Sequence, residues 1–127
     1  MLSEFLAVTT LVVTDIDQAK PFYENQLGLT LLEETPVGCR FGAGKGSQLM
    51  IRRGRPQPAA QTVLHFEVVD IEAVVRDLTS RGVTFEESET PKTVNFIAQF
   101  GPNRGAWFKD PAGTVLGLRE GPVLGAG

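Results

Sequence analysis

"FEVVDIEAVVRDLTSRGVTFEE" (residues 66–87) reads in three parts that decide the fold. Phe66 and Val68 stand on one side of a period-two segment, Asp70 is a good helix N-cap, and Ile71, Val74, Val75 and Leu78 form an apolar stripe at helical spacing. Gly82 is placed to stop the helix in a left-handed conformation, and "VTFEE" then reads as a returning strand. The same three parts occur earlier, in "LVVTDIDQAKPFYENQLGLTLLE" (residues 11–33). Val13 matches Val68, Asp15 matches Asp70 and Ile16 matches Ile71 at an offset of 55, whereas Gly28 with Gly82 and Leu29 with Val83 are 54 apart. The chain is an internal duplication with one extra residue in its first helix. Pro21 removes an intrahelical donor from that helix, which predicts a loose or 3₁₀ first turn.

Beyond each returning strand come two more strand signals. In the first copy they are "CRFGAG" and "SQLMIRR", joined by a glycine-rich turn. In the second copy "AWFKDPAGTVLGLRE" (106–120) is a hairpin with Asp110, Pro111, Ala112 and Gly113 at its tip. Both copies are therefore βαβββ in an α+β chain. The reading gives one domain over 1–127, with module one at 1–53, a linker at 54–61, module two at 62–120 and a tail at 121–127. The stretch "KTVNFIAQFGPNRGAW" (92–107) reads as a long connection able to cover a cavity.

A chain of 127 residues with 42% hydrophobic and 21% charged residues suits one compact core, and no apolar run is long enough to span a bilayer. Its N-terminus lacks the basic cluster of a signal peptide, so a soluble cytoplasmic protein is expected. The net charge of -3 argues against a nucleic-acid surface, and Arg52, Arg53 and Arg55 read as a solvated strand end. The lone Cys39 has no disulfide partner and reads as a packed thiol.

Paired βαβββ modules, together with "DIDQAKPFYENQLGL", "FEVVDIEAVVRDLTSRGV" and "AWFKDPAGTVLGL", resemble the vicinal oxygen chelate superfamily of glyoxalase I, bleomycin resistance proteins and extradiol dioxygenases. The resemblance covers nearly the whole chain. It implies an incompletely closed eight-stranded mixed β-barrel with the helices outside and a ligand cavity on the concave side. The metal-ligand positions of that family fall on Val8, on Met50 or Ile51, on Val63 and on Gly117. None is a histidine or a carboxylate, and one histidine in the chain cannot supply an iron triad, so no metal and no cofactor are expected.

His65 and Glu67 share a strand face with Val63 and so fall on the expected cavity wall. They are candidates for ligand contact or for proton transfer, the plainer alternative being a hydrogen-bonded pair that only shapes the wall. By the same parity Thr10 and Val12 share the face of Val8 while Leu11 and Val13 turn to the helix, and Arg119 shares the face of Gly117 while Leu116 and Leu118 turn away. Ile51, Phe96, Gln99, Phe100 and Trp107 complete the candidate ligand contacts, with aromatic stacking on a planar ligand in view; for the aromatics the alternative is a core or interface role. The expected function is metal-independent binding of a small, largely apolar or aromatic molecule, such as antibiotic sequestration by a homodimer. The competing reading is a lyase, isomerase or cyclase using His65 and Glu67, or a metal at shifted positions. A partner-binding module without a ligand is a third.

Overall fold

A computed structural model of the chain describes residues 1–56 and 61–122. Nine strands and two α-helices lie among them. Sheet one holds β1 (Val8–Val13), β2 (Thr30–Thr35), β3 (Gly38–Gly42) and β4 (Gln48–Arg53) in the order β1-β4-β3-β2. Sheet two holds β5 (Leu64–Glu67), β6 (Thr93–Val94), β7 (Ile97–Phe100), β8 (Asn103–Lys109) and β9 (Val115–Glu120) in the order β5-β9-β8-β7-β6. In each sheet the first strand pairs in parallel with the last, β1 with β4 and β5 with β9, and the remaining pairs are antiparallel. This is the α+β arrangement of two sheets that the duplication implies. Neither sheet closes on itself.

The helices are α1 (Ile16–Pro21) and α2 (Ile71–Ser80). Each starts where an aspartate side chain takes a backbone N–H that the first turn leaves unpaired. Gln18 N donates to Asp15 and Ala73 N to Asp70, both at 3.2 Å. Ile71, Val75 and Leu78 of α2 are buried against sheet two, and Ile16 and Ala19 of α1 against sheet one. The extra residue of the first copy does not loosen the first turn into 3₁₀. It appears after Pro21 as a π-helical turn, Phe22–Gln26, in which Leu27 N donates to Phe22 O at 2.9 Å. Proline has no N–H to give, and the wider turn that follows it absorbs the insertion. The two helix ends keep the record: Val83 N reaches back to Leu78 O, while Leu29 N reaches one residue further, to Tyr23 O.

Two expectations for the second copy are corrected. Its returning strand is reduced to a single bridge between Phe85 and Phe108, because Glu86, Glu87, Glu89 and Pro91 follow, poor strand residues of which the last lacks a donor. The stretch 92–107 is not a covering loop. It is the hairpin β6–β7 and the start of β8, which makes five strands where four were expected.

The contacts divide the chain into two compact units, 1–58 with 110–114, and 59–109 with 115–127. Residues 57–60 of the predicted linker at 54–61 and 123–127 of the predicted tail at 121–127 lie outside the described residues. The Asp110–Thr114 turn sits in the first unit although it joins β8 to β9. Asp110, 5% exposed, accepts backbone N–H groups from Ala112 and Thr114 through Oδ1 and the Tyr23 hydroxyl through Oδ2 at 2.7 Å. Burial, reinforced by that carboxylate, pushes the Tyr23 phenol well above its ordinary value. Cys39 is buried, and burial raises its thiol pKa too, in keeping with an inert packed side chain.

Candidate functional site

Strand parity gives sheet two an inner and an open face. Leu116, Leu118, Ala106 and Phe108 are 4% exposed or less and lie on the side that α2 covers. The open face carries the alternate positions: Val63, His65 and Glu67 before and along β5, Gly117 and Arg119 on β9, Asn103, Gly105 and Trp107 on β8, and Phe100 on β7. Adjacent strands place His65 beside Gly117 and Gly117 beside Trp107. The next row is Glu67, Arg119 and Gly105.

Gly117 lets its neighbours close over the strand. A Cβ there would stand 3.3 Å from both Thr62 Cγ2 and Trp107 Cδ1 and 3.5 Å from His65 Cβ, so the space above the glycine is already filled by these side chains. Beside it runs a polar line. His65 Nε2 and Glu67 Oε1 are 3.3 Å apart, Arg119 Nη1 donates to Glu67 Oε2 at 2.9 Å, and Arg119 Nη2 donates to Asn103 Oδ1 and to Pro122 O, each at 2.9 Å. The Arg119 hydrogen bonds hold the Glu67 carboxyl below the ordinary glutamate value against the opposing effect of burial, and the His65 contact adds to the lowering. On the other side of Gly117, the Phe100 and Trp107 rings meet edge to face with centroids 6.2 Å apart. Phe100 is 46% exposed, so an apolar edge is available beside the polar line.

Gln99 and Phe96 stand apart from this group. Gln99 pairs with Arg104, whose register places both on the helix side of the sheet, and Phe96 lines a small cavity with Thr79, Gly82 and Phe85. In the first unit Thr10 and Val12 share the open face with their β4 partners Met50 and Arg52. Ile51 does not join them. It pairs with Leu11, is 1% exposed and faces the helix, so of the two positions left open by the sequence Met50 is the one on the open face. Arg40, the β3 neighbour of Met50, is also there; its Nη1 reaches Gln48 Oε1 at 3.5 Å and its buried Nε has no hydrogen-bond partner among the described residues.

The four family ligand positions carry two isopropyl groups (Val8, Val63), the thioether of Met50 and no side chain at all (Gly117). Alkyl groups have no lone pair, and a thioether suits soft ions only, so this donor set does not fit a zinc or iron centre. Among the described residues no three His, Cys, Asp or Glu side chains are grouped so as to hold a metal ion. Among those residues, too, no helix is long and apolar enough to cross a membrane.

A family model for the Glyoxalase/Bleomycin resistance protein/Dioxygenase superfamily matches residues 5–118. The chain belongs to that superfamily. Similar solved structures include TnmS3, an antibiotic-binding protein from Streptomyces sp. CB03234, at 25% identity, TM-score 0.69, and coverage of 93% of this chain and 96% of that one. A glyoxalase/bleomycin resistance protein from the same organism is 27% identical over 90% of this chain and 98% of its own, with TM-score 0.67. Lactoylglutathione lyase from Agrobacterium tumefaciens has TM-score 0.69 at 19% identity, covering 95% and 96%, a likeness of fold alone. No curated protein sequence matches the chain. Membership in the superfamily fixes the scaffold and leaves the chemistry to the open faces.

Proposed function

We propose that this superfamily member binds a small, largely apolar or aromatic organic molecule on the open face of sheet two, without a metal, as in antibiotic sequestration. The observation that carries the reading is the junction of two unlike surfaces on this face, the exposed Phe100–Trp107 edge on one side of Gly117 and the His65–Glu67–Arg119 line on the other. The aromatic edge contributes by removing apolar surface from water, at about 25 cal/mol per Å². The polar line supplies direction, each hydrogen bond adding about 0.5–1.5 kcal/mol net. TnmS3, an antibiotic-binding protein, is kin in fold and sequence and supports the ligand class.

The enzymatic alternative would use the same His65–Glu67 contact. Arg119 weighs against it, because a general base works best with a pKa near the operating pH and Arg119 drives Glu67 the other way. The reading includes a homodimer. Open sheet edges and the exposed Met1, Leu2, Phe5 and Leu6 are surface a second copy can cover, and a sedimentation run showing only a 13.7 kDa species would end that part.

Trp107 is the single tryptophan, so its emission reports on this face. A panel of flat aromatic antibiotics is titrated against the wild-type chain and against His65→Ala. The reading expects at least one compound to quench Trp107 with a Kd about tenfold weaker in the variant, a loss of about 1.4 kcal/mol, while the Tm stays within a few degrees. Equal affinity in the two proteins, or no response to any compound, refutes it.

A further inference from the structure

We propose that the second unit carries another ligand groove, on the helix side of sheet two, built for a small organic anion with an apolar body. It stands independently of the function proposed above, since it lies on the opposite face from His65 and Trp107. A cavity of about 780 Å³ opens between α2 and the β6–β7 hairpin. That is within the range of small-molecule sites. Its charged lining consists of Glu72, Arg76, Lys92 and Arg104.

The pairing among these four groups decides the sign of the groove. Arg104 Nη1 donates to Glu72 Oε1 at 2.7 Å, and its Nε and Nη2 reach Glu120 Oε1 at 3.0 and 2.9 Å. Arg104 is thus committed to Glu72 and Glu120, and Glu72 to Arg104. Arg76 and Lys92 have no ion pair or side-chain hydrogen bond among the described residues. The groove is left with two uncommitted cations in a chain whose net charge is -3. A planar guanidinium from α2 and an ammonium at the start of the β6–β7 hairpin, both lining the groove, suit a carboxylate, sulfonate or similar oxyanion, which the arginine can hold through two N–H groups.

The rest of the lining suits the body of such a ligand. Val75, Val94 and Ile97 supply apolar surface, and Val94 is 64% exposed and so open to a ligand. Asn95 adds a donor and an acceptor at the hairpin tip. Both tip residues, Asn95 and Phe96, have positive φ, 52° and 71°. Asparagine tolerates this backbone and phenylalanine does not, so the tip is strained. Phe96 faces a separate small cavity with Thr79, Gly82 and Phe85, while Asn95 lines the groove.

The test uses 1-naphthalenesulfonate and its uncharged counterpart 2-naphthol, read by ¹H–¹⁵N spectra of the full chain. The sulfonate is expected to shift the amides of Arg76, Val94, Asn95 and Ile97 in a saturable way, at least tenfold more tightly than naphthol. Arg76→Gln with Lys92→Gln is expected to weaken that binding at least tenfold while the spectrum keeps its dispersion, and His65→Ala to leave it within twofold. Shifts confined to the His65 and Trp107 amides, an affinity unchanged in the double variant, or equal binding of the uncharged compound would overturn the proposal.

Discussion

In the first module Asp15 caps a helix of one and a half turns that continues through a π turn into Gly28; in the second, Asp70 caps a regular ten-residue helix that ends at Gly82. Both glycines have positive φ, 74° and 93°, and both helices lead back along the sheet they cover. Up to that point the copies differ by one inserted residue. Beyond it they part. The first module returns through a six-residue strand, the second through one bridge and an added hairpin. The open faces differ as well, with Thr10, Val12, Met50 and the unsatisfied Nε of Arg40 on one and an ion-paired line beside two aromatic rings on the other. The duplicated scaffold is held by core packing, which resists change on the helix side, while each open face is free to acquire its own chemistry.

Matching core positions should therefore respond alike, and this is the largest effect expected. Ile51 faces the helix beside Leu11, and Leu118 does so beside Phe66, the residue that the duplication matches to Leu11. Both are 4% exposed or less. Ile51→Ala and Leu118→Ala should each cost about 2–5 kcal/mol in urea unfolding, with Thr10→Ala and Val63→Ala within about 0.5 kcal/mol of wild type. If one core variant costs under about 1 kcal/mol, the two helix faces are not equivalent and the comparison breaks.

The next effect marks a place where the modules differ. Tyr23 stands where the duplication puts Leu78, and only Tyr23 brings a hydroxyl, donated to Asp110. Tyr23→Phe leaves the buried Asp110 carboxylate one donor short and should cost about 1–3 kcal/mol. The folded state also holds the phenol proton above the unfolded value of 10.0. Its contribution is complete below that pH and declines as pH rises beyond it. Wild type should thus lose stability steeply above pH 10, and Tyr23→Phe less steeply; parallel alkaline limbs would assign the loss to other groups.

How far the sequence reached follows from the range of each interaction. Period two put Val63, His65 and Glu67 on one face and turned Leu116 away, because parity along a strand is a local property. The family position on β4 stayed open between Met50 and Ile51, since a one-residue slip reverses the face. The Tyr23–Asp110 bond spans 87 residues and had no local signature; Asp110 read only as a turn residue. Gln99 and Phe96 were misjudged for another reason. Polar and aromatic residues among glycines suggested a covering loop, where Val94 pairing with Ile97 makes a hairpin that sends both to the helix side.

Helix caps offer a finer test. Both aspartates accept one N–H, but the N-terminus of α2 has a second carboxylate, with Ile71 N donating to Glu120 Oε2 at 2.9 Å. Asp15→Ala should cost about 1 kcal/mol, the usual value of a lost cap, and Asp70→Ala measurably less, because Glu120 still serves the positive end of the helix. Equal losses in thermal unfolding would show that Glu120 adds nothing there.

The smallest effect belongs to the acid side of the second module. The backbone N–H of Ile71 first, then the Arg104 guanidinium, hold the Glu120 carboxyl below 4.5, and Arg119 does the same for Glu67. A carboxylate whose folded pKa is lowered binds fewer protons folded than unfolded, so its stabilisation is present above the unfolded value and is lost as pH falls through the folded one. Both side chains are partly exposed and screened by water, which keeps the effect modest. Urea midpoints taken from pH 7 down to pH 3 should fall for the wild type, with a shallower fall for Glu120→Gln, which carries no proton-linked charge at that position. The two curves should approach each other as pH falls through the lowered folded-state value, where wild-type Glu120 becomes neutral. A gap that stays constant over the whole range would mean that Glu120 acts at the α2 terminus by shape and hydrogen bonding alone, and the second module would then owe its different helix start to geometry and not to charge.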